Sequence, residues 1–212
     1  CEYQNFDIQN ITDFLKIISD AKGLKGLNVT IPFKEEIIPF VDKISKKAKI
    51  IGAINCIKIS KSKKTKGFNT DYYGFKKSLK PIVKSNHKKA LILGTGGASK
   101  AVAFALKKMK IEYDFVSRNP TEFQYHYSDL NHEIFEEYQI IINTTPLGTF
   151  PNIEECPELD YDLFTKKHIA FDLVYNPEES SFLKQAKLKG ATTKNGYEML
   201  IFQAEKAWKI WN

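Results

Sequence analysis

The sequence has no apolar run long enough to cross a bilayer. No secretory leader is visible in its opening residues, Cys1-Glu2-Tyr3-Gln4, which lack an initiator methionine, so none is expected. Cysteine is scarce: Cys1, Cys56 and Cys156 are odd in number and widely spaced. They form neither a metal-ligand spacing nor a disulfide framework, so the expectation is no metal site and a reducing, cytoplasmic setting. Internal repeats and low-complexity segments are absent. So are helix-turn-helix, zinc and RNA-binding signatures. The excess of positive charge, +7 from 32 basic and 25 acidic residues, therefore calls for another explanation than nucleic acid. A lysine-rich solvated surface accounts for it. The cluster "KSKKTK" (61–66) sits between two strand-like runs, 53–59 and 67–69, and reads as a hairpin tip. A positive field would also favour a small anionic substrate or a phosphorylated cofactor.

What is present suits an ordinary globular protein. With 212 residues, 42% hydrophobic and 27% charged, the chain can build one or two domains with a real core. It divides near "PIVKSNHK" (81–88). Before that point, strand-like runs alternate with helical stretches: a strand over 27–31 and helices over 33–41 and 43–50. After it, "KALILGTGGASKAVAFALKKMKIEYDFVSRN" reads as an apolar strand (90–93), a glycine turn, an apolar-periodic helix (98–108) and a second strand (113–116). Strand, glycine turn, helix and strand form a βαβ unit, which implies a parallel sheet covered by helices. The runs 139–143 and 169–174 fit further strands of that sheet. A helix over 181–189 would end at Gly190, and a last helix, 198–211, is apolar along one side. The expected fold class is α/β, in two domains.

The turn "GTGGAS" (94–99) follows the strand directly and opens the helix. Gly94 permits the tight turn, and Gly96 and Gly97 let backbone N–H groups approach a pyrophosphate at the positive helix end. Ser99 stands where the usual fingerprint has a third glycine, so the motif depends on its strand and helix context. The end of the second strand selects the dinucleotide. An acidic residue there holds the ribose hydroxyls of NAD; an arginine holds the extra phosphate of NADP. This strand ends "DFVSRN". Asp114 lies inside it, too early to project over a cofactor. Arg118 stands at the end with Ser117 and Asn119 beside it, and a guanidinium fork matches a phosphate. The expected cofactor is NADP(H); the alternatives are a purely structural glycine turn and a surface arginine.

Three polar motifs precede the glycine turn: "NVTIPFK" (28–34), "GAIN" (52–55) and "GFNTDYYG" (67–74). Each places uncharged hydrogen-bonding groups at the end of an apolar run, where they could converge on a polyhydroxylated ligand. Each also has a structural alternative. Thr30 could cap the next helix, Asp71 could N-cap a helix over 72–79, and Asn55 could bind backbone in a turn. Lys34 is harder to place. In the first turn of the expected helix an ammonium opposes the field of the free N–H groups, at about 0.3–1 kcal/mol. A lysine paired with an aspartate, Asp71 if the two meet, can donate or accept a proton at a carbonyl or alcohol. Beside a nicotinamide this is ketone-reductase chemistry.

These motifs, with "NTTPLG" (143–148), "DLVYNP" (172–177) and "NGYEMLIFQA" (195–204), occur in one order, and in that order the chain resembles the shikimate dehydrogenase family from about residue 23 to 211. The resemblance implies NADPH-dependent, reversible reduction of 3-dehydroshikimate to shikimate, on the route to chorismate and the aromatic amino acids. It implies Lys34 as the catalytic acid/base and Asp71 as its partner. Asn28, Thr30, Asn55 and Asp71 would line the substrate, with Tyr175 and Gln203 closing on it. Gly94, Gly96, Gly97 and Ala98 would hold the pyrophosphate, and Ser117, Arg118 and Asn119 the adenosine phosphate. Thr144, Leu173 and Gly196 would lie along the cofactor towards the nicotinamide. The implied architecture is a discontinuous α/β substrate domain, 1–82 plus 196–212, and a Rossmann-like NADP-binding domain, 83–195, with the substrate in the cleft between them. The expected partner is this small molecule, with no nucleic acid and no membrane, for a monomer or homodimer.

Two departures stand out. The family usually has asparagine at position 117 and threonine at position 119, where this chain has Ser117 and Asn119 around Arg118. The family pattern also opens with a strand and a Ser-x-Ser loop that grips the substrate carboxylate, and nothing before Gly23 matches it. The rival readings are a quinate/shikimate dehydrogenase, which would accept quinate and often NAD, and a non-catalytic NADP-binding module, which would bind without turnover. A basic nucleic-acid-binding protein is a third, supported by no motif.

Overall fold

A computed structural model describes residues 2–212. The chain falls into two compact units: one runs through Thr70 and takes in Ala207–Asn212, the other is Asp71–Lys206. Cys1 lies outside the described residues; Cys56 and Cys156 form no disulfide.

The first unit contains α1 (Asp13–Asp20), β1 (Gly26–Asn28), β2 (Lys43–Ile44), α2 (Lys46–Ile51), β3 (Cys56–Ile59) and β4 (Thr65–Phe68). The strands order β1-β3-β4-β2, with β3 antiparallel to β1 and β4, and β2 parallel to β4. "KSKKTK" is the tip of the β3–β4 hairpin, closed by the Ser60 N–H donating to the Lys64 carbonyl at 2.9 Å. Phe14 of α1 joins Ile37, Ala48, Ile54, Ile57 and Ile59 in the core of this unit. At the chain end the Trp211 indole N–H donates to the Ile57 carbonyl at 3.0 Å.

Two expected helices change here. Residues 33–41 form a series of turns ending in a 3-10 turn, Ile38–Phe40. The Ile37 N–H reaches the Phe33 carbonyl, but those of Ile38 and Phe40 fall back to Glu35 and Ile37. Pro39 has no N–H, and its ring would meet the carbonyl four residues back, so an α-helix cannot propagate through it. Lys34 therefore does not stand in the first turn of a regular helix, and the dipole cost expected for it does not arise. The helix expected over 43–50 starts later. Lys43–Ile44 is a strand, and the Ser45 side chain caps α2 by accepting the Ala48 N–H at 3.3 Å. The strand expected over 27–31 is shorter, ending at Asn28.

The second unit contains α3 (Asp71–Leu79), β5 (Lys89–Leu93), α4 (Gly97–Met109), β6 (Glu112–Ser117), β7 (Gln124–His126), α5 (His132–Glu137), β8 (Ile140–Asn143), β9 (Ile169–Asp172), α6 (Ser181–Leu188), β10 (Thr192–Lys194) and α7 (Tyr197–Trp211), whose end belongs to the first unit. Its six strands are all parallel, in the order β10-β9-β8-β5-β6-β7. Counted from β5, this is the doubly wound 3-2-1-4-5-6 arrangement, whose order reverses between β5 and β8. The central strands are apolar throughout because both faces are covered. Ala90, Ile92, Ile142 and Phe171 pack with Phe75, Leu79, Leu106 and Met199 of α3, α4 and α7. Leu91, Leu93 and Ile141 pack on the other side with Phe135, Phe182 and Leu183 of α5 and α6. Because α3 and most of α7 pack on this sheet, division by packing falls at Thr70 and Lys206, whereas the functional division expected from the motifs falls at 82 and 196. Among the described residues, no helix is long and apolar enough to cross a membrane, and no group of three His, Cys, Asp or Glu is placed to hold a metal.

Candidate functional site

In the second unit, the chain leaves every strand at the same edge of the sheet. Gly94 follows β5, Arg118 follows β6, Thr144 follows β8, Leu173 follows β9, and Gly196 follows β10 after one intervening residue, Asn195. Gly94 adopts φ 98, and a Cβ there would lie 3.1 Å from both Thr144 Oγ1 and Thr145 Cγ2. Its N–H donates to the Val116 carbonyl at 2.9 Å, tying the turn to β6. Gly96 differs. Its φ is −75, and a Cβ there would meet nothing within 4 Å. Neither backbone nor packing demands glycine at this position; a ligand approaching the backbone would. The Gly96 carbonyl accepts the Ser99 N–H at 3.0 Å and the Ser99 hydroxyl at 2.6 Å. Ser99, in the place of the usual third glycine, is thus buried with its hydroxyl turned into the turn itself. The N–H groups of Gly97 and Ala98 have no acceptor within the helix, and they carry its positive end. This cradle fits the pyrophosphate of a dinucleotide.

Arg118 is exposed, and it is the only arginine among the 32 basic residues of the sequence. Its neighbours form a tight turn in which Ser117 Oγ accepts the Asn119 N–H at 3.2 Å. Burial pushes the Tyr127 phenol up to about 12, and the Arg118 guanidinium pulls it the other way. Thr144 donates both its N–H (3.0 Å) and its hydroxyl (2.6 Å) to the Leu93 carbonyl. Its hydroxyl proton is spent on β5, which leaves the oxygen lone pairs for a ligand.

A buried network absent from the expected site fixes the exits of β8 and β9. Asp172 Oδ1 accepts from Asn143 Nδ2 and from the Val174 N–H, both at 3.0 Å, and Oδ2 accepts the Ser180 hydroxyl at 2.5 Å. Asn143 Oδ1 accepts the Thr145 N–H at 3.0 Å and its hydroxyl at 2.6 Å. Burial pushes the Asp172 carboxyl up to about 7, against the pull of its three hydrogen bonds. Thr144 and Leu173 ride on these two exits. The only signal in the sequence was that Asn143 and Asp172 open "NTTPLG" and "DLVYNP".

Asp71 is the first residue of α3 rather than its N-cap, and it is buried. One turn on, a Cβ at Gly74 would lie 2.5 Å from the Met199 carbonyl oxygen and 3.1 Å from Gln203 Cβ. The helix that begins with Asp71 thus crosses the helix of Gln203 at backbone contact. Tyr175 is exposed on the loop between β9 and α6, and Gly196 is buried with its N–H on the Val174 carbonyl at 3.0 Å.

In the first unit the three polar motifs are laced together. The Val29 N–H donates to the Asn55 carbonyl (2.9 Å), and the Ile54 N–H to the Lys34 carbonyl (2.7 Å). Asn69 Nδ2 donates to the Ala53 carbonyl at 3.1 Å. Asn28 Nδ2 donates to the Asn55 carbonyl, and its Oδ1 accepts the Tyr3 hydroxyl, both at 3.2 Å. Asn55 is buried, and its Oδ1 accepts the Thr70 N–H at 2.6 Å while its Nδ2 donates to Thr70 Oγ1 at 2.9 Å. Its side chain therefore holds the segment leading to Asp71. Thr30 is exposed and Lys34 half-buried. "NVTIPFK", "GAIN" and "GFNT" thus meet in one place, as polar segments around one ligand require.

Residues 1–57 match the family model described as the shikimate dehydrogenase substrate binding domain. The NADP(+) shikimate dehydrogenase of Caldicellulosiruptor saccharolyticus is 36% identical over 220 residues, which cover 97% of this chain and 78% of that protein. That of Aquifex aeolicus is 39% identical over 221 residues, covering 99% and 80%. A crystal structure of a shikimate dehydrogenase in complex with NADP+ superposes with a TM-score of 0.84 at 35% identity, over 98% of this chain and 78% of the other. With identity of this degree along almost its whole length, the chain belongs to the shikimate dehydrogenase family.

Proposed function

We propose that this protein catalyses the reversible reaction of 3-dehydroshikimate, NADPH and a proton to give shikimate and NADP+. One observation carries the coenzyme half of this reading: the glycine turn, the single arginine and the exits of β8, β9 and β10 all stand at the carboxyl edge of a 3-2-1-4-5-6 sheet, where such sheets bind dinucleotides. The names of the relatives support the substrate half. Bound NADPH would supply the hydride. Lys34 then gives a proton to the oxygen that was the ketone and takes it back in the reverse direction. Asp71 orients the lysine and accepts from a ring hydroxyl. Asn28 and Thr30 offer hydrogen bonds to the polyol, with Tyr175 and Gln203 as further contacts, while Asn55 acts chiefly by placing Thr70. Gly94, Gly96, Gly97 and Ala98 hold the pyrophosphate; Ser117, Arg118 and Asn119 hold the adenosine phosphate; Thr144, Leu173 and Gly196 line the nicotinamide half. In this reading, 1–82 with 196–212 is the substrate domain and 83–195 the NADP domain. The enzyme works in the cytoplasm as a monomer or homodimer, without nucleic acid or membrane.

Nicotinamide absorbance with shikimate or quinate, each paired with NADP+ or NAD+, tests this. Fastest turnover is expected with shikimate and NADP+. Preference for quinate and NAD+ would make it a quinate-type enzyme. NADPH binding without turnover in any pairing would make it a binding module.

A further inference from the structure

Residues 118–123 alone join β6 to β7, with no helix between them, where a parallel connection ordinarily takes a dozen residues or more. Phe115, Val116 and Ser117 pair with Gln124, Tyr125 and His126. Both strands therefore end at the same edge, and the last residue of β7 stands beside the last of β6. Opposed residues of a parallel pair share a face of the sheet. Val116 and Tyr125 belong to the core on the α5 and α6 side, and Phe115 to the core on the α4 side. Ser117 and His126 thus project on the α4 side, next to Arg118.

The His126 ring is held. Its Nδ1 accepts the Ser128 N–H at 3.2 Å and lies 2.7 Å from Ser128 Oγ, and the Asp129 carboxylate accepts the His126 N–H at 2.7 Å. An Nδ1 that accepts a backbone N–H carries no proton, so the neutral ring carries it on Nε2. Nε2 has no hydrogen-bond partner among the described residues. The Arg118 guanidinium acts on Tyr127, the residue that follows His126.

A phosphate monoester offers three terminal oxygens, and one guanidinium fork engages two of them. We propose that His126 is a second reader of the coenzyme's adenosine phosphate, its Nε2–H donating to that phosphate beside Arg118. The proposal rests on the NADP reading of the site.

Fluorescence titration of the full chain with NADPH and with NADH tests it in three variants. His126→Asn keeps an oxygen to cap the Tyr127–Asp129 turn but removes Nε2. His126→Ala removes both, and Arg118→Ala removes the guanidinium. His126→Asn and His126→Ala are both expected to weaken NADPH about tenfold, equivalent to about 1.4 kcal/mol, with NADH affinity unchanged. Wild-type NADPH affinity in His126→Asn overturns the proposal, because the ring is then only a cap. Equal loss of both coenzymes overturns it too. In either case a selective NADPH loss in Arg118→Ala leaves the NADP reading standing. If Arg118→Ala leaves the ratio of the two affinities unchanged, the NADP reading fails and the proposal falls with it.

Discussion

Replacing Gly96 by alanine should leave the protein as stable as before and remove most of its affinity for NADPH. The backbone at Gly96 has φ −75 and ψ −177, open to any residue, and the new methyl would meet no atom within 4 Å. Alanine lowers the entropy of the unfolded chain, a gain of about 0.4–1 kcal/mol. It is a poorer N-cap than glycine for α4, a loss of roughly 0.5–1 kcal/mol. The two nearly cancel, so the melting temperature should move by no more than about 2 °C for a chain of this length. The ligand side has no such compensation. The methyl occupies the approach to the helix mouth, and each hydrogen bond to a charged group is worth about 1.5–3 kcal/mol. Losing one weakens NADPH by roughly tenfold to a hundredfold. Gly94→Ala is the contrast. At φ 98, with two threonine side chains 3.1 Å from the new methyl, it should cost about 1–3 kcal/mol of stability. Thermal unfolding without coenzyme and NADPH titration, on both variants, separate the two glycines. Wild-type NADPH affinity in Gly96→Ala would refute the cradle. So would a fall in melting temperature as large as that of Gly94→Ala.

Gly74→Ala should raise the KM for shikimate while NADPH affinity holds. The new methyl lies 2.5 Å from the Met199 carbonyl oxygen, so α3 and α7 must part near Asp71 and Gln203; an unchanged KM would show that the crossing does not set the substrate site. Overpacking of this kind costs about 1–3 kcal/mol, of which helix propensity returns roughly 1. Asp172→Asn should flatten the pH dependence of stability. Burial pushes this carboxyl from 3.8 to about 7, so between those values the folded chain holds a proton that the unfolded chain has released. Its contribution to stability therefore falls as pH rises through that window and stays low above it. Denaturant titrations across the window should show a fall in the wild type that the variant lacks; equal slopes in both would rule out Asp172 as the cause.

The parallel sheet was legible because its central strands are apolar along their whole length and a glycine turn joins "KALIL" to a periodic helix. The short edge strands were not. "QYH" and "TTK" are three residues each, almost wholly polar, and become strands only by pairing with β6 and β9. Residues 33–41 carried a helical pattern, but Pro39 stops the α-helical ladder that the pattern implies. The positions of Gly94, Gly96 and Arg118 at the carboxyl edge of the sheet could be read from strand, turn and helix alone. The Asp172 network could not, because Asp172 and Asn143 are 29 residues apart and meet only through the pairing of β8 with β9. Asn55 shows the same limit: a polar residue in the right motif spends its side chain on Thr70, 15 residues away.

In the proposed reaction Lys34 moves the proton in an NADP-linked oxidation of shikimate. Shikimate-dependent reduction of NADP+, followed by nicotinamide absorbance in the full chain and in Lys34→Ala, tests it most directly. Turnover is expected in the wild type and a fall of about a hundredfold to ten-thousandfold in the variant, with NADPH affinity unchanged. Near-normal turnover in Lys34→Ala, or a wild type that binds NADPH but leaves shikimate untouched, would contradict it.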